Sequence, residues 1–366
     1  MARTSAEPAK LGSLQSKPRP SDRFLHGMGS ASRVVFVSHV QPDPDSFGSM
    51  LGLAHLVETR TRKKCILTQD GEVNRAENRA MVDLLKLDLH HVTNLKLQPN
   101  DAVVMVDSQP GTGRHSCGKP AQLYAVLDHH VTPGDLAGVP YVDIRPELGA
   151  TCSLVLKYLI EQNVSLPPRV ATALLYGLET ELSGYPREGS AADDEAVATL
   201  YPHADKDLLA RIRNARLPHS HFECLALALQ NAVVLDKLIF TWLDPLAQPE
   251  QAAEVVDFLV RHDGAEWAIC AGVNKDKLVL SVRSSRAHAN AGERLSRVCA
   301  GLGNAGGHER RAGGCIPITD PSASGMMKLR AELIERIRVQ FGQTDAICRP
   351  LVNIPPSSTD LQIASR

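Results

Sequence analysis

RVVFVSHVQPDPDS, residues 33–46, decides how the rest of the chain is read. Its first five residues include three valines and a phenylalanine, a run of strand length and strand composition. It breaks at once into a polar stretch holding a histidine, two prolines and two aspartates. The same design returns twice. AVVMVD (102–107) ends in Asp107, and LYAVLDHH (123–130) ends in Asp128, His129 and His130. Between these runs lie the strand-like KKCILT (63–68) and amphipathic segments, a helix from Gly48 and another over 74–87. Such alternation predicts βαβ units on a parallel sheet.

In open parallel sheets the ligand crevice lies beyond the carboxyl ends of the strands. Three strands would therefore deliver Asp43, Asp45, Asp107 and Asp128, with His39, His129 and His130, to one edge. Crowded carboxylates repel, and no run of Lys or Arg lies nearby to neutralise them. Divalent cations are the natural counter-charge. Oxygen-rich sites with imidazoles suit Mn²⁺ or Mg²⁺, whereas paired thiolates would indicate zinc or iron–sulfur clusters. A pair of such cations serves phosphoryl displacement well. Taken singly, an aspartate at a strand end is usually a turn or cap residue, and a lone His-His pair is usually surface or core filler. Together at one edge of one sheet, such residues are much less easily explained as caps and filler.

Working outward, residues 147–213 turn helical, with ATCSLVLKYLIEQ (150–162) and ATALLYGLE (171–179) as the clearest stretches. A second mixed region follows: VVLDKLIFTWL (233–243), a helix at 250–262, the strand pair EWAICAGV and KLVLSVRS, and helices near 292–299 and 326–341. The expected architecture is α/β with two α/β domains. The N-terminal one would hold a mainly parallel sheet flanked by helices, and the smaller C-terminal one a mixed sheet. The expected boundaries are a flexible arm over 1–32, a metal-binding domain over 33–205, a helical linker over 206–249, a second domain over 250–344 and a flexible tail over 345–366.

Composition narrows the class. A length of 366 residues with 43% hydrophobic and 22% charged residues fits two globular cores. A net charge of -1 gives no broad basic field for long duplex DNA. The eight cysteines form no CxxC pair, which reads as reduced thiols. No apolar run reaches membrane-spanning length and no secretory leader is evident, so a cytoplasmic location and no membrane partner are expected.

At this point the residues resemble a known family. HVQPDPDS (39–46), VVMVDSQPG (103–111), VLDHHVTPG (126–134) and ATALLYGLETELSGY (171–185) are similar, in order and spacing, to the four motifs of the DHH phosphoesterases. LVLSVRSS (278–285) and GLGNAGGHERRAGG (301–314) resemble the substrate-binding strand and glycine-histidine loop of the DHH-associated C-terminal domain. The resemblance covers about residues 33–320.

It implies an active site in the cleft between the domains and two Mn²⁺ ions, with Mg²⁺ open. One ion would lie on His39, Asp43 and Asp107, the other on Asp45, Asp107, His129 and the fourth-motif acid Glu181. Asp107, Asp128, His129 and His130 would form the catalytic group, Asp128 orienting His129 and His130 facing the phosphate. Arg283, Ser284, Gly306, Gly307, His308 and Arg310 would bind substrate. The domain pairing resembles nano-RNases and 3′-phosphoadenosine 5′-phosphate phosphatases, implying a hydrolase of short single-stranded oligonucleotides or that nucleotide. A cyclic-dinucleotide phosphodiesterase and a weakened nucleotide-binding regulator are the alternatives, and homodimer assembly stays open. The chain departs from the family at Thr180-Glu181-Leu182-Ser183, where a TDTG-like run is usual, and at Glu309, Arg310 and Arg311, where small residues are usual. Elsewhere, His90 and His91 read as surface, Ser220 as a helix cap, and Trp242 and Trp267 as core.

Overall fold

The computed structural model describes residues 17–353 apart from 118, 132, 184–188 and 308. They fall into two compact units: the first runs to Ile212, the second begins at Arg213, and the short segment Asn74–Ala80 belongs with the second.

The first unit contains α1 (Pro20–Gly27), β1 (Arg33–Val37), α2 (Pro44–Thr61), β2 (Lys64–Gln69), the last turn of α3 (Ala76–Leu84), whose residues up to Ala80 belong with the second unit, β3 (Leu89–His91), β4 (Asp101–Val106), β5 (Leu123–Asp128), β6 (Tyr141–Ile144), α4 (Thr151–Glu161), α5 (Pro168–Leu182), α6 (Ala191–Leu200) and α7 (Lys206–Arg213). Its six strands form one sheet in the order β3-β2-β1-β4-β5-β6, every neighbouring pair parallel. All six residues of β4 are buried, as befits a central strand covered on both faces. The chain moves from β1 to β2 on one side and resumes at β4 on the other, so the winding reverses between β1 and β4. That switch point is where open sheets accept ligands.

Two glycines bring α2 and α5 together. A Cβ at Gly48 would lie 2.7 Å from the Ala173 carbonyl oxygen, and one at Gly177 would lie 2.6 Å from that of Pro44 and 2.9 Å from the Asp45 Cα. Backbone therefore packs on backbone beside Asp45, and Glu181 follows one turn later on the same helix.

The second unit contains α8 (His219–Asn231), β7 (Val233–Leu235), β8 (Leu238–Leu243), α9 (Glu250–Leu259), β9 (Trp267–Asn274), β10 (Lys277–Ser284), α10 (Ala291–Cys299), β11 (Asn304–Gly307), β12 (Arg311–Pro317), α11 (Ala323–Gln340) and β13 (Cys348–Pro350). Its seven-stranded sheet runs β11-β12-β10-β9-β8-β7-β13. Only β8 and β9 are parallel neighbours. Residues of α10 and α11 share a core with one set of alternating strand residues, including Leu278, Leu280 and Val282. Residues of α8 and α9 share a core with the other set, including Ile239, Ala268 and Cys270. Trp242 and Trp267 are core, as expected.

The element boundaries differ from the expectation in four places. Part of the expected arm is α1, because Phe24 is fully buried and its ring meets those of Tyr124, Tyr141 and Tyr158 at 5.6–6.3 Å. VVLDKLIFTWL folds as a hairpin, with Asp236 at φ +52 in the turn, so the stretch read as linker supplies two strands of the second sheet. Residues 348–350 pair with β7 as the outermost strand. Helix α8 starts at His219 after Pro218 with no side-chain cap bond, so Ser220 lies inside the helix. Residues 1–16 and 354–366 of the expected arm and tail lie outside the described residues.

Candidate metal centre

Residues 43–46 open a helix. Asp43 is the N-cap of α2 and accepts from Ser46 N at 3.0 Å, while Pro44 occupies the first turn. His39 precedes this turn, Asp107 follows β4 and Asp128 ends β5, so the three strand ends meet at the switch point.

Asp107 is the hub. It sits at φ +57, a left-handed backbone costly for a non-glycine residue and typical of strained functional positions. Its Oδ2 lies 3.5 Å from His39 Nε2 and its Oδ1 3.6 Å from His129 Nε2 and 3.7 Å from His130 Nδ1. His39 Nε2 is also 3.5 Å from Asp43 Oδ2, and His129 Nε2 is 3.8 Å from Asp45 Oδ2. Two groups, His39/Asp43/Asp107 and Asp107/His129/His130, each place their ligand atoms within 4.8 Å of one another. Both contain Asp107.

Hydroxyls and amides hold these carboxylates. Ser46 Oγ donates to Asp107 Oδ2 at 2.7 Å and lies 3.0 Å from His39 Nε2, with Ser38 Oγ donating to it from behind at 2.7 Å. Thr151 Oγ1 donates to Asp107 Oδ1 at 3.0 Å. Helix α4 has no side-chain cap of its own; its first amides, Thr151 N and Cys152 N, donate to the two oxygens of Asp45 at 2.7 and 2.8 Å. Asp193 steadies that helix end by accepting from Gly149 N at 2.8 Å and Ser153 Oγ at 2.6 Å.

The electrostatics follow from burial and crowding. Burial pushes the His39 imidazole down, but Asp107 and Asp43 outweigh it and raise it to about 10. Burial likewise opposes His129, which Asp107, Asp45, Glu181 and Asp128 together raise to about 9. Burial and the neighbouring Asp107 carboxylate push Asp45 well above its ordinary range. Burial works against ionised Asp107 too, yet His39, His130 and His129 hold it below the ordinary carboxylate range. Among the described residues no Lys or Arg forms an ion pair with Asp43, Asp45 or Asp107; imidazoles supply the positive charge. Buried oxygens and imidazoles in that ratio fit hard or borderline divalent cations.

The structure thus brings His39, Asp43, Asp45, Asp107, His129 and His130 to one place, with Glu181 close enough to act on His129. Asp128 joins differently from the expectation. Its Oδ1 is 2.8 Å from His130 Nδ1, its Oδ2 accepts from Gln109 Nε2 at 2.8 Å, and His129 Nδ1 instead meets the Leu148 carbonyl oxygen at 3.2 Å. In extended chain, residues two apart share a side, so Asp128 orients His130 rather than its immediate neighbour.

In the second unit, Arg283 lies on β10 directly opposite Arg311 of β12. Gly306 is exposed, and a Cβ there would meet nothing within 4 Å. At Gly307, with φ +155, a Cβ would lie 2.2 Å from the Arg311 carbonyl oxygen, so no side chain fits. Ser284 is buried and its hydroxyl donates to the Glu266 carbonyl at 2.9 Å, so it fastens the strand end instead of facing a ligand. Arg310 is buried as well; Arg311, one position on, shares the face of Arg283. His308 lies outside the described residues.

Residues 33–178 match the model of the DHH family, N-terminal domain. Those residues are thus similar to a DHH N-terminal domain. An uncharacterized protein of Methanocaldococcus jannaschii is 29% identical over 310 residues, covering 84% of this chain and 63% of that protein. A probable manganese-dependent inorganic pyrophosphatase of Streptococcus agalactiae is 27% identical over 149 residues, covering 40% of this chain and 47% of that protein. The chain therefore spans less than two thirds of the length of these curated relatives. The crystal structure of an exopolyphosphatase-related protein from Bacteroides fragilis shares the fold, with a TM-score of 0.69 at 17% identity over 88% of this chain and 97% of that one. The convergent residues His39, Asp43, Asp45, Asp107, His129 and His130 all lie within the matched residues 33–178. Among the described residues, no helix is long and apolar enough to cross a membrane.

Proposed function

We propose that the chain is a metal-dependent phosphoesterase that uses two divalent cations, Mn²⁺ or Mg²⁺, on short single-stranded oligonucleotides or on 3′-phosphoadenosine 5′-phosphate. The observation that carries the reading is Asp107, placed against His39 and Asp43 on one side and against His129 on the other, with Asp45 Oδ2 3.8 Å from His129 Nε2. One cation would rest on His39, Asp43 and Asp107, the other on Asp45, Asp107, His129 and Glu181. Bound there, such ions supply an activated water and stabilise the charge that develops on the attacking and leaving oxygens. The manganese dependence named for the S. agalactiae relative agrees with this donor set.

The chain's own residues do the rest. Ser46 and Thr151 fix both oxygens of Asp107, and the α4 amides fix those of Asp45. Asp128 takes the Nδ1 proton of His130 in a hydrogen bond, which leaves Nε2 as the nitrogen that would meet a phosphoryl oxygen or carry a proton to the leaving group. Arg283, Gly306 and Gly307 would hold the part of the nucleotide that does not react, by a guanidinium fork and by close backbone approach. Glu181 is one methylene longer than the usual aspartate. Its action on His129 supports reading it as a ligand.

The test is a panel of dinucleotides and 3′-phosphoadenosine 5′-phosphate with Mn²⁺ or Mg²⁺, comparing the natural chain with Asp107→Ala. Release of mononucleotide or phosphate by the natural chain alone is expected. Equal release by both proteins would overturn the reading.

A further inference from the structure

Gln109 lies two residues past Asp107 in the loop that follows β4, and it is buried, at 2% exposure. A buried amide has to turn its oxygen and its nitrogen the right way, because a donor or acceptor left unpaired there is destabilising. A backbone group dictates the orientation of this one. Gly134 N can only donate, and it donates to Gln109 Oε1 at 2.9 Å. Nε2 is thereby turned toward the end of β5, where it donates to Asp128 Oδ2 at 2.8 Å and to the His130 carbonyl oxygen at 3.0 Å. Both of its hydrogens are used.

The surrounding backbone is held as firmly. The Gln109 carbonyl oxygen accepts from Thr112 Oγ1 at 2.9 Å and lies 3.1 Å from His115 Nε2, and Asp135 N donates to the Pro110 carbonyl oxygen at 2.6 Å. A Cβ at Gly134 would lie 2.5 Å from that of Gln109, so the loops after β4 and β5 are packed together at this point. From the amide the donor and acceptor roles run in one direction. Gln109 makes Oδ2 of Asp128 an acceptor, and the other oxygen, Oδ1, faces His130 Nδ1 at 2.8 Å. A carboxylate only accepts, so the proton of that bond sits on Nδ1. Nε2 of the neutral ring is then the nitrogen at which a proton is taken up or released.

We propose that Gln109 is a positioning residue that holds His130 in the tautomer protonated at Nδ1, acting through Asp128 and itself fixed by the Gly134 amide. The inference rests on the reading above in which His130 Nε2 meets a phosphoryl oxygen or carries a proton, and it names the residue on which that arrangement depends. Asp128 alone does not settle the ring, since rotation of a carboxyl group about its last bond is soft. The Gln109 amide removes that freedom.

These roles can be reversed by substitution. In Asp128→Asn the asparagine oxygen has to face Gln109 Nε2, because two N–H donors cannot bond each other; its NH2 group then faces His130 Nδ1 and drives the proton to Nε2. Adding Gln109→Glu turns the asparagine round: the new carboxylate accepts from Gly134 N and from the asparagine NH2 group, and the asparagine oxygen again faces Nδ1.

The test is two-bond proton–nitrogen correlation spectroscopy on the full-length protein with isotope-labelled histidine, in EDTA and where the ring is neutral, with His130 assigned by loss of its signals in His130→Gln. Nδ1–H is expected in the natural protein, Nε2–H in Asp128→Asn, Nδ1–H again in the double variant, and a mixture in Gln109→Met, which keeps the length of the side chain and removes its bonds. With Mn²⁺ and a dinucleotide, kcat should fall about 10–100-fold in Gln109→Met and in Asp128→Asn while KM stays within about twofold, and the double variant should recover about tenfold of the loss. Nε2–H in the natural protein, or an unchanged tautomer in Gln109→Met or Asp128→Asn, overturns the proposal; lost turnover with the tautomer unchanged would make Gln109 a structural prop only. Because the spectra involve no turnover, the expected tautomers in a protein that hydrolyses nothing would leave this inference standing and remove the phosphoesterase reading. Hydrolysis by a natural protein that carries Nε2–H would do the reverse.

Discussion

The two units treat charge in opposite ways. In the first, acids and imidazoles lie buried at the ends of parallel strands, each carboxylate fixed by hydroxyls or helix amides, with Asp107 at 1% exposure. In the second, Arg283 and Arg311 stand opposite each other on two inner strands of a mixed sheet, and half-exposed Asp257 pairs with Arg283. The first arrangement is buried and closely hydrogen-bonded. The second is more open, and a half-exposed carboxylate meets Arg283. The contrast teaches that burial with many hydrogen bonds fixes charged side chains in place, whereas exposure leaves their partners accessible to solvent.

That contrast can be broken at either end. The largest effect expected is that of Asp107→Ala, which should lower turnover by about a thousandfold or more, because one carboxylate serves both ligand groups. Its affinity for adenosine 5′-monophosphate in EDTA should stay within about twofold, since that binding belongs to the second unit; titration calorimetry beside the activity assay checks both. Ser46→Ala should weaken Mn²⁺ binding about 10–100-fold, as removal of a group that orients a metal ligand usually does. Free-Mn²⁺ electron paramagnetic resonance reads this directly. Arg283→Gln should raise KM about tenfold while metal stoichiometry, measured by elemental analysis, is unchanged.

The smallest effect is one of pH. In metal-free protein His39 rises from 6.5 to about 10 and His129 from 6.5 to about 9. The folded state therefore binds these protons more tightly than the unfolded one. The stabilisation they give is full below the unfolded value and is lost as pH rises through the folded values. Asp45, also raised, works in the same direction. The melting temperature in EDTA should fall between about pH 7 and about pH 10, and the increment given by Mn²⁺ should be larger at about pH 8.5 than at about pH 6. Thermal melts at matched ionic strength measure both, and a flat EDTA profile would contradict the assignment.

Much of this organisation is legible in the chain. Valine-rich runs that end in Asp107 and Asp128 announce strands by composition and a crevice by their polar ends, because a buried parallel strand has little choice of residue. Other parts leave weaker marks. Ser46 and Thr151 are small polar residues beside conspicuous acids, and only the packing of α2 against α4 shows that they reach Asp107. Gln109, two residues past Asp107, fixes Asp128 through a contact that sequence spacing does not report. The partner of Asp128 turns on which side of an extended strand each residue faces, and the choice between Arg310 and Arg311 turns on a one-residue register. Phe24 anchors α1 by meeting three tyrosines distant in sequence, so eight residues of helix hide in a Pro-rich segment. The Asp236-Lys237 turn splits one apolar run into two strands without any glycine to mark it.

The central claim is that Asp107 is shared by two cations, and anomalous diffraction from crystals equilibrated with Mn²⁺ tests it most directly. The account predicts two manganese peaks per chain flanking the Asp107 carboxylate, one beside His39 and Asp43 and the other beside Asp45 and His129. A single peak away from Asp107, or two peaks that persist undiminished in Asp107→Ala, would contradict it.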